Sequence, residues 1–364
     1  MADYTNIDDP SAYFQTVLHS SANAATITND GNSDLQPDLI WSKARGAAYT
    51  HGLYDSNRGV TKFVGVNQSA ETTASSGFDL TSFNTDGFST GNNQYNTICG
   101  GTTYVAWQWK ANGGTTTSVS ASGTGNGCIN ACTHQANTTA GFSIITYTGR
   151  DDQLNNAHES KLTHGLGVAP SVFICKRRDG TSNWYYLGGK QSSVNNGWNN
   201  VHLLLNQTAT INGNSYTSNT EPDSTYIYLG NQLVNTVDSW VGYAFAEKQG
   251  YSKFSSYVGN GDANGRMIAT GFKPAFVLLK RTDVTNNWLI YDNKRSGYNP
   301  KQDKLYPDDT SAEDASTASV DLLSNGFKLR ASSASQNASG GHYIYMAFAE
   351  NPFVTSTGVP TTAR

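Results

Sequence analysis

Three times in this chain a Pro opens an apolar run that closes on a Lys: Pro37-Asp-Leu-Ile-Trp-Ser-Lys43, Pro170-Ser-Val-Phe-Ile-Cys-Lys176 and Pro274-Ala-Phe-Val-Leu-Leu-Lys280. Each run is flanked by the same kinds of segment. Tyr13-Phe-Gln-Thr-Val-Leu18, Phe142-Ser-Ile-Ile-Thr-Tyr147 and Phe254-Ser-Ser-Tyr-Val-Gly259 lead in; Tyr104-Val-Ala-Trp-Gln-Trp109, Trp240-Val-Gly-Tyr-Ala-Phe245 and Tyr343-Ile-Tyr-Met-Ala-Phe348 close. A fixed order of similar segments points to an internal threefold repeat, and a period this long means tandem domains rather than a solenoid. Pro170 to Pro274 spans 104 positions and Pro37 to Pro170 spans 133, so the first interval carries an insert of 29. The insert lies after Trp109, in a stretch rich in Gly, Ser and Thr.

No window repeats apolar residues at helical spacing, whereas short runs of β-branched and aromatic residues recur between turn dipeptides such as Asp86-Gly87, Asn212-Gly213 and Asn325-Gly326. The chain is expected to be all-β. The continuous apolar run Phe276-Val-Leu-Leu279 suits a strand covered on both faces, and strands so numerous need two packed sheets to keep their apolar faces dry. The expectation is three jelly-roll-like β-sandwiches in tandem. Their boundaries are residues 1–112, a flexible Gly/Ser/Thr-rich linker or arm at 113–140, residues 141–250, and residues 251–364 including a small polar tail from Thr355.

Charged residues are only 14% of the 364, against about 25% in typical soluble proteins, and the net charge is −4 with no Lys/Arg stripe. Phosphate neutralisation needs clustered basic residues, so nucleic acid is not an expected partner. No run approaches the ~18 apolar residues of a membrane helix, and Met1-Ala-Asp-Tyr-Thr-Asn lacks the basic-then-apolar start of a secretory signal; neither membrane insertion nor export by that route is expected.

Catalytic patterns are missing. There is no Walker A loop, no His-Glu-x-x-His and no Gly-x-Ser-x-Gly, and Asp30-x-Asn32-x-Asp34 lacks the later Gly and acidic residue of a calcium loop. Glu247 and Glu350 occupy equivalent positions of two repeats, hence strand-end charges rather than a glycosidase pair. Asp55 with Arg58 and Asp292 with Arg295 recur between copies, which favours an ion pair or a turn inside the fold over an active site. Cys128 and Cys132, with His134 close by, lack a fourth zinc ligand; a disulfide or free thiols are preferred, and neither a metal nor any cofactor is expected. Aromatics give the one binding lead. Trp184, Tyr185 and Trp198 sit in polar contexts that suit sugar or protein contact. Packing between sheets is the preferred reading for Trp184 and its counterpart Trp288, while Trp198 has no counterpart and is the better candidate for exposure.

Pro37 to Lys43, Asp55-Ser-Asn-Arg-Gly59, Asp86-Gly-Phe88 and Gly101-Thr-Thr-Tyr-Val-Ala-Trp-Gln-Trp-Lys110 together resemble the repeat of structural proteins from tailed bacteriophages of aquatic bacteria, including cyanophages. The match is specific in the first third; the later units keep only the Pro-to-Lys and closing strands. The resemblance implies a non-enzymatic virion component, a tail-associated fibre or spike or a surface decoration, made in the host cytoplasm and exposed on the particle. Its expected partners are other virion proteins and further copies of itself, as a homotrimer in a fibre. A receptor-binding adhesin for host surface glycan is the contrasting expectation, and a polysaccharide depolymerase a third.

Overall fold

The computed structural model describes residues 4–120, 131–149, 160–189, 198, 201–213, 220–230, 233–234, 237–317 and 319–361. It is all-β: antiparallel sheets and a 3-10 turn at Pro10–Ala12, with no α-helix among the described residues. Each unit is built around a main sheet with one shared strand order. In the first, the lead-in strand Phe14–His19 pairs with the closing strand Tyr104–Trp109, which pairs with the Pro-opened strand Leu39–Ala44, which pairs with a return strand Gly52–Asp55. The second repeats this with Phe142–Thr148, Ser239–Phe245, Val172–Arg177 and Trp184–Gly188, and the third with Ser252–Val258, His342–Pro352, Phe272–Arg281 and Trp288–Asp292. The registers correspond as well. Leu39 faces Trp109, Val172 faces Phe245 and Phe276 faces Phe348.

The Pro-opened strands are buried on both faces, as their unbroken apolar runs require. One face closes each unit's own sandwich. Ile40 joins Val17, Tyr54 and Ala106 against Ile27, Leu80 and Phe88 of a small outer sheet (Ala25–Ile27, Leu80–Phe83, Phe88–Thr90). Phe173 and Cys175 do the same in the second unit against Leu162, Ile227 and Leu229. Those outer sheets turn on dipeptides visible in the sequence. Gly87 and Gly326 have φ of 89° and 152°, and a Cβ on either would lie about 2 Å from the carbonyl oxygen of Ile27 or Ile268, so only Gly fits.

The other faces meet one another. Leu39, Trp41, Val172, Ile174, Phe276 and Leu278 belong to one core that draws on all three main sheets. At its centre Trp109, Phe245 and Phe348 touch mutually, with ring centroids 6.4, 5.8 and 5.5 Å apart. Aromatic contacts of this kind add ~0.5–1.5 kcal/mol each beyond burial. The void left beside them is only about 20 Å³, so the middle is filled and is not a pore.

Two expectations change here. The units are not beads on a string, since the first shares its core with the second and third alike. The stretch 113–140 is no free linker either. Its described residues include strands Thr117–Ser120 and Ala131–Asn137, which extend the second main sheet beyond its lead-in strand. Its root is held by the buried Asp38 carboxylate, which accepts from the amides of Ala111, Gly113 and Gly114 at 2.7–2.9 Å. Gln135 bonds Ser56 and Thr116, so the added strands also lean on the first unit. A segment rich in Gly has many amides to satisfy; ladder pairing and one carboxylate satisfy them here. The tail is tied down too, with the Ser356 amide and hydroxyl both donating to Asp8 at 2.6 Å.

Candidate functional site

The three aromatics singled out in the sequence do not form an exposed patch. Trp198 is 4% exposed, a correction to its expected surface role. Its ring fills the space beside Gly188, where a Cβ would stand 2.9 Å from it, so an unpaired Trp in a polar stretch is here a core plug. Tyr185 is buried against Trp240 and His202. Trp184 is fully buried, but between units rather than between the sheets of one: its Nε1–H donates to Gly65 O of the first unit at 2.7 Å. Trp288, its counterpart, donates to Leu204 O of the second unit at 2.9 Å. His51 holds the corresponding place in the first unit. Its Nδ1 accepts from Trp41 Nε1 and its Nε2–H donates to Tyr306 O of the third unit, which fixes the neutral tautomer; burial holds its pKa well below the usual value.

These bonds run in a cycle. The hairpin loop after each Pro-opened strand lies on the next unit, second on first, first on third, third on second. The amide of Glu71 donates to Arg178 O at 2.7 Å, that of Glu313 to Arg45 O at 2.8 Å, and that of Ile211 to Thr282 O at 3.1 Å. The Lys that ends each run sits at the root of its loop. Lys43, Lys176 and Lys280 are all fully buried, and each ammonium donates to backbone carbonyls: Lys43 to Thr310, Lys280 to Thr208 and Asn286, Lys176 to Arg177 and Gly180. Burial lowers the pKa of each to about 8.

On two seams the backbone contact carries a buried ionic cluster. Arg178 grips Glu71 with Nε and Nη2 at 2.8 and 3.0 Å, and Arg45 grips Glu313 the same way at 3.0 and 2.7 Å. Behind Glu71, Arg58 bonds Asp55 at 2.6 Å; behind Glu313, Arg295 bonds Asp292 at 2.6 Å, the fold-internal pairs that recurrence suggested. The closing strand of the neighbouring unit completes each cluster. Tyr243 donates to Asp55 at 2.8 Å, and Trp107 Nε1–H to Asp292 at 3.0 Å with the Arg295 guanidinium over its ring. Burial works against the charge on Arg58, but Asp55, Tyr243 and Glu71 outweigh it and raise the pKa. Burial likewise opposes ionisation of Glu71 and Asp292, and their arginines nevertheless hold both below the usual carboxylate values.

Among the described residues no group of three His, Cys, Asp or Glu could hold a metal. Cys132 is a free buried thiol, with His134 also buried, while Cys128 and His158 lie outside the described residues. Glu247 and Glu350 pair with Lys253 and Lys273 at their strand ends, at 2.6 and 2.9 Å. Two adjoining clefts beside the first and third units, of about 320 and 390 Å³, open to solvent and share Asn293, Lys294 and Glu350, and a separate cleft of about 320 Å³ lies between Ile7, Thr138 and Lys248.

Sequence reasoning missed Glu71, Glu313, Arg45 and Arg178, whose partners lie in other units; the signal available was the recurrence of Asp55–Arg58 as Asp292–Arg295. Residues 9–352 match the model of a family described as a domain of unknown function (DUF7483), and the chain belongs to that family. Searches among curated proteins and among solved structures returned no match.

Proposed function

We propose that the chain is a structural component of a bacteriophage particle, a tail-associated fibre or spike element or a surface decoration, and that it acts by shape and contact rather than by bond chemistry. One observation carries the reading: the groups most suited to chemistry, Asp55, Arg58, Glu71, Asp292, Arg295, Glu313, Lys43 and Lys280, are consumed in seams that lock three units together. The resemblance of the first unit to phage structural repeats supports the same conclusion. The reading extends to contacts with other virion proteins and with further copies of the chain, trimeric in a fibre, and to a surface-exposed place on the particle. The test is antibody labelling and quantitative mass spectrometry of gradient-purified particles from the phage encoding the chain. The reading expects label on intact virions at a fixed copy number. Recovery solely as free protein in the lysate would overturn it, and cleavage of host polysaccharide by the purified chain would overturn its non-enzymatic part.

A further inference from the structure

The three units differ most where the third departs from the first. In the first unit six positions separate Arg58 from Val64, which pairs with Leu53; in the third, ten separate Arg295 from Leu305, which bridges Ile290. The four extra residues form a loop through Ser296, Gly297, Tyr298 and Asn299. This loop is built, not slack. The Asn299 amide nitrogen donates to Leu322 O at 2.8 Å and its oxygen accepts from Leu322 N at 3.0 Å, while Lys301 Nζ donates to the carbonyls of Asn293 and Ser296 from a nearly buried position.

The braced loop holds one ring out in water. Tyr298 is 89% exposed, and the next most exposed large apolar side chain among the described residues, Val237, reaches 59%. Leaving a large ring bare forgoes the burial that stabilises aromatics elsewhere in the chain, and it does so beside the larger of the two adjoining clefts. Each ammonium around it already has a partner: Lys294 pairs with Asp30 at 2.8 Å and Lys273 with Glu350 at 2.9 Å, while Lys301 donates to the Asn293 and Ser296 carbonyls. What the clefts do offer is ammonium donors, carboxylate acceptors and a buried oxygen without a hydrogen-bond partner, Asn293 Oδ1. An unpartnered buried polar atom is satisfied once a ligand supplies the missing bond.

We infer that this double cleft binds a neutral saccharide, with Tyr298 as the platform for a sugar ring and Asn293, Lys294 and Glu350 as partners for its hydroxyls. A pyranose has an apolar face for the ring and hydroxyls that both donate and accept, which matches compensated ion pairs better than a carboxylate or phosphate would. The site adds a ligand to the structural reading without resting on it: virion labelling without sugar binding leaves that reading standing, and sugar binding without labelling leaves this one.

The experiment is saturation-transfer NMR on the full chain with methyl α-glucopyranoside, methyl α-galactopyranoside, methyl α-mannopyranoside, N-acetylglucosamine and galacturonate, each at low and high salt. At least one neutral sugar is expected to give a signal that salt leaves unchanged. Tyr298→Ala should weaken its affinity roughly tenfold or more and Tyr298→Phe should retain it, with identical near-UV circular dichroism in all three proteins. Absence of a signal from every neutral sugar, survival of the signal in Tyr298→Ala, or a signal from galacturonate alone that salt abolishes would each overturn the inference.

Discussion

The seam between the second and first units and the seam between the third and second share one backbone contact and have opposite side-chain chemistry. Where the first pair has Arg178 on Glu71, the second has Thr282 beside Ile211. Gly188 takes the ladder place of Asp55, and Met346 the place of Tyr243. Among the described residues, the charged groups and their partners are thus replaced together. What both seams retain is the amide-to-carbonyl bond and the indole, Trp184 to Gly65 in one and Trp288 to Leu204 in the other. The ring is thus defined by main-chain bonds and one buried ring N–H per seam, an indole on these two and the His51 imidazole on the third. The ionic clusters are one of two ways to fill the space behind them, in keeping with the general finding that buried ion pairs and apolar packing are nearly interchangeable when exchanged whole.

Removing part of a cluster should break that equivalence most severely. Arg58→Met leaves the Asp55 carboxylate buried without its guanidinium and Glu71 with Arg178 alone, and is expected to cost ~3–5 kcal/mol in urea unfolding. Arg295→Met should cost the same, whereas Thr282→Ala on the neutral seam should cost no more than about 1 kcal/mol. The shared indole bonds come next. Trp184→Phe and Trp288→Phe each remove a buried indole-to-carbonyl bond and are expected to lose ~0.5–3 kcal/mol, by similar amounts on the ionic and the neutral seam. A large difference between them would show that the indoles are not the common element.

Importing the neutral pattern gives a sharper comparison. Glu71→Ile and Arg178→Thr, each destabilising alone, should cost less together than their sum, with a coupling of ~0.5–3 kcal/mol in a double-mutant cycle.

The pH dependence has a defined sign. Lys43, Lys176 and Lys280 titrate near 8 when folded, below the ~10.4 of an unfolded Lys, so between those values the unfolded chain binds more protons and stability should rise with pH. Above about 10 the trend reverses, because buried tyrosines such as Tyr243 and Tyr257 keep their protons in the fold and lose them on unfolding. At the acid end Glu71 and Asp292, both lowered in the fold, lose their contribution as pH falls below ~4. Urea midpoints across this range check all three signs, and the Lys-to-Met triple variant should lose the rise above pH 8. The smallest effect belongs to Tyr298→Ala, which touches no core and should stay within ~0.5 kcal/mol of the parent.

The strands of this ring were legible and its closure was not. Apolar runs such as Val172-Phe-Ile-Cys175 announce a strand buried on both faces, because both neighbours must be dry. Nothing local in Thr208 or Thr310 says that its carbonyl will receive a lysine from another unit. The segment after Trp109 was misread because Gly and Ser mask the β-formers of Thr117–Ser120 and Ala131–Asn137, and because the carboxylate that anchors it, Asp38, lies in the first unit. Trp198 was misread for a related reason. Its Asn- and Gly-rich setting suggests a surface loop, but the slot it fills is made by the missing side chain of Gly188, ten positions away.

A ring of three units closed around Trp109, Phe245 and Phe348 should fold as a single body. Hydrogen exchange of the full chain across a urea series, read in the closing strands Tyr104–Trp109, Ser239–Phe245 and His342–Pro352, tests it most directly. The ring predicts that all three strands open together, with one free energy and one denaturant dependence. Three separate openings, or a third unit that exchanges while the first two stay protected, would contradict it.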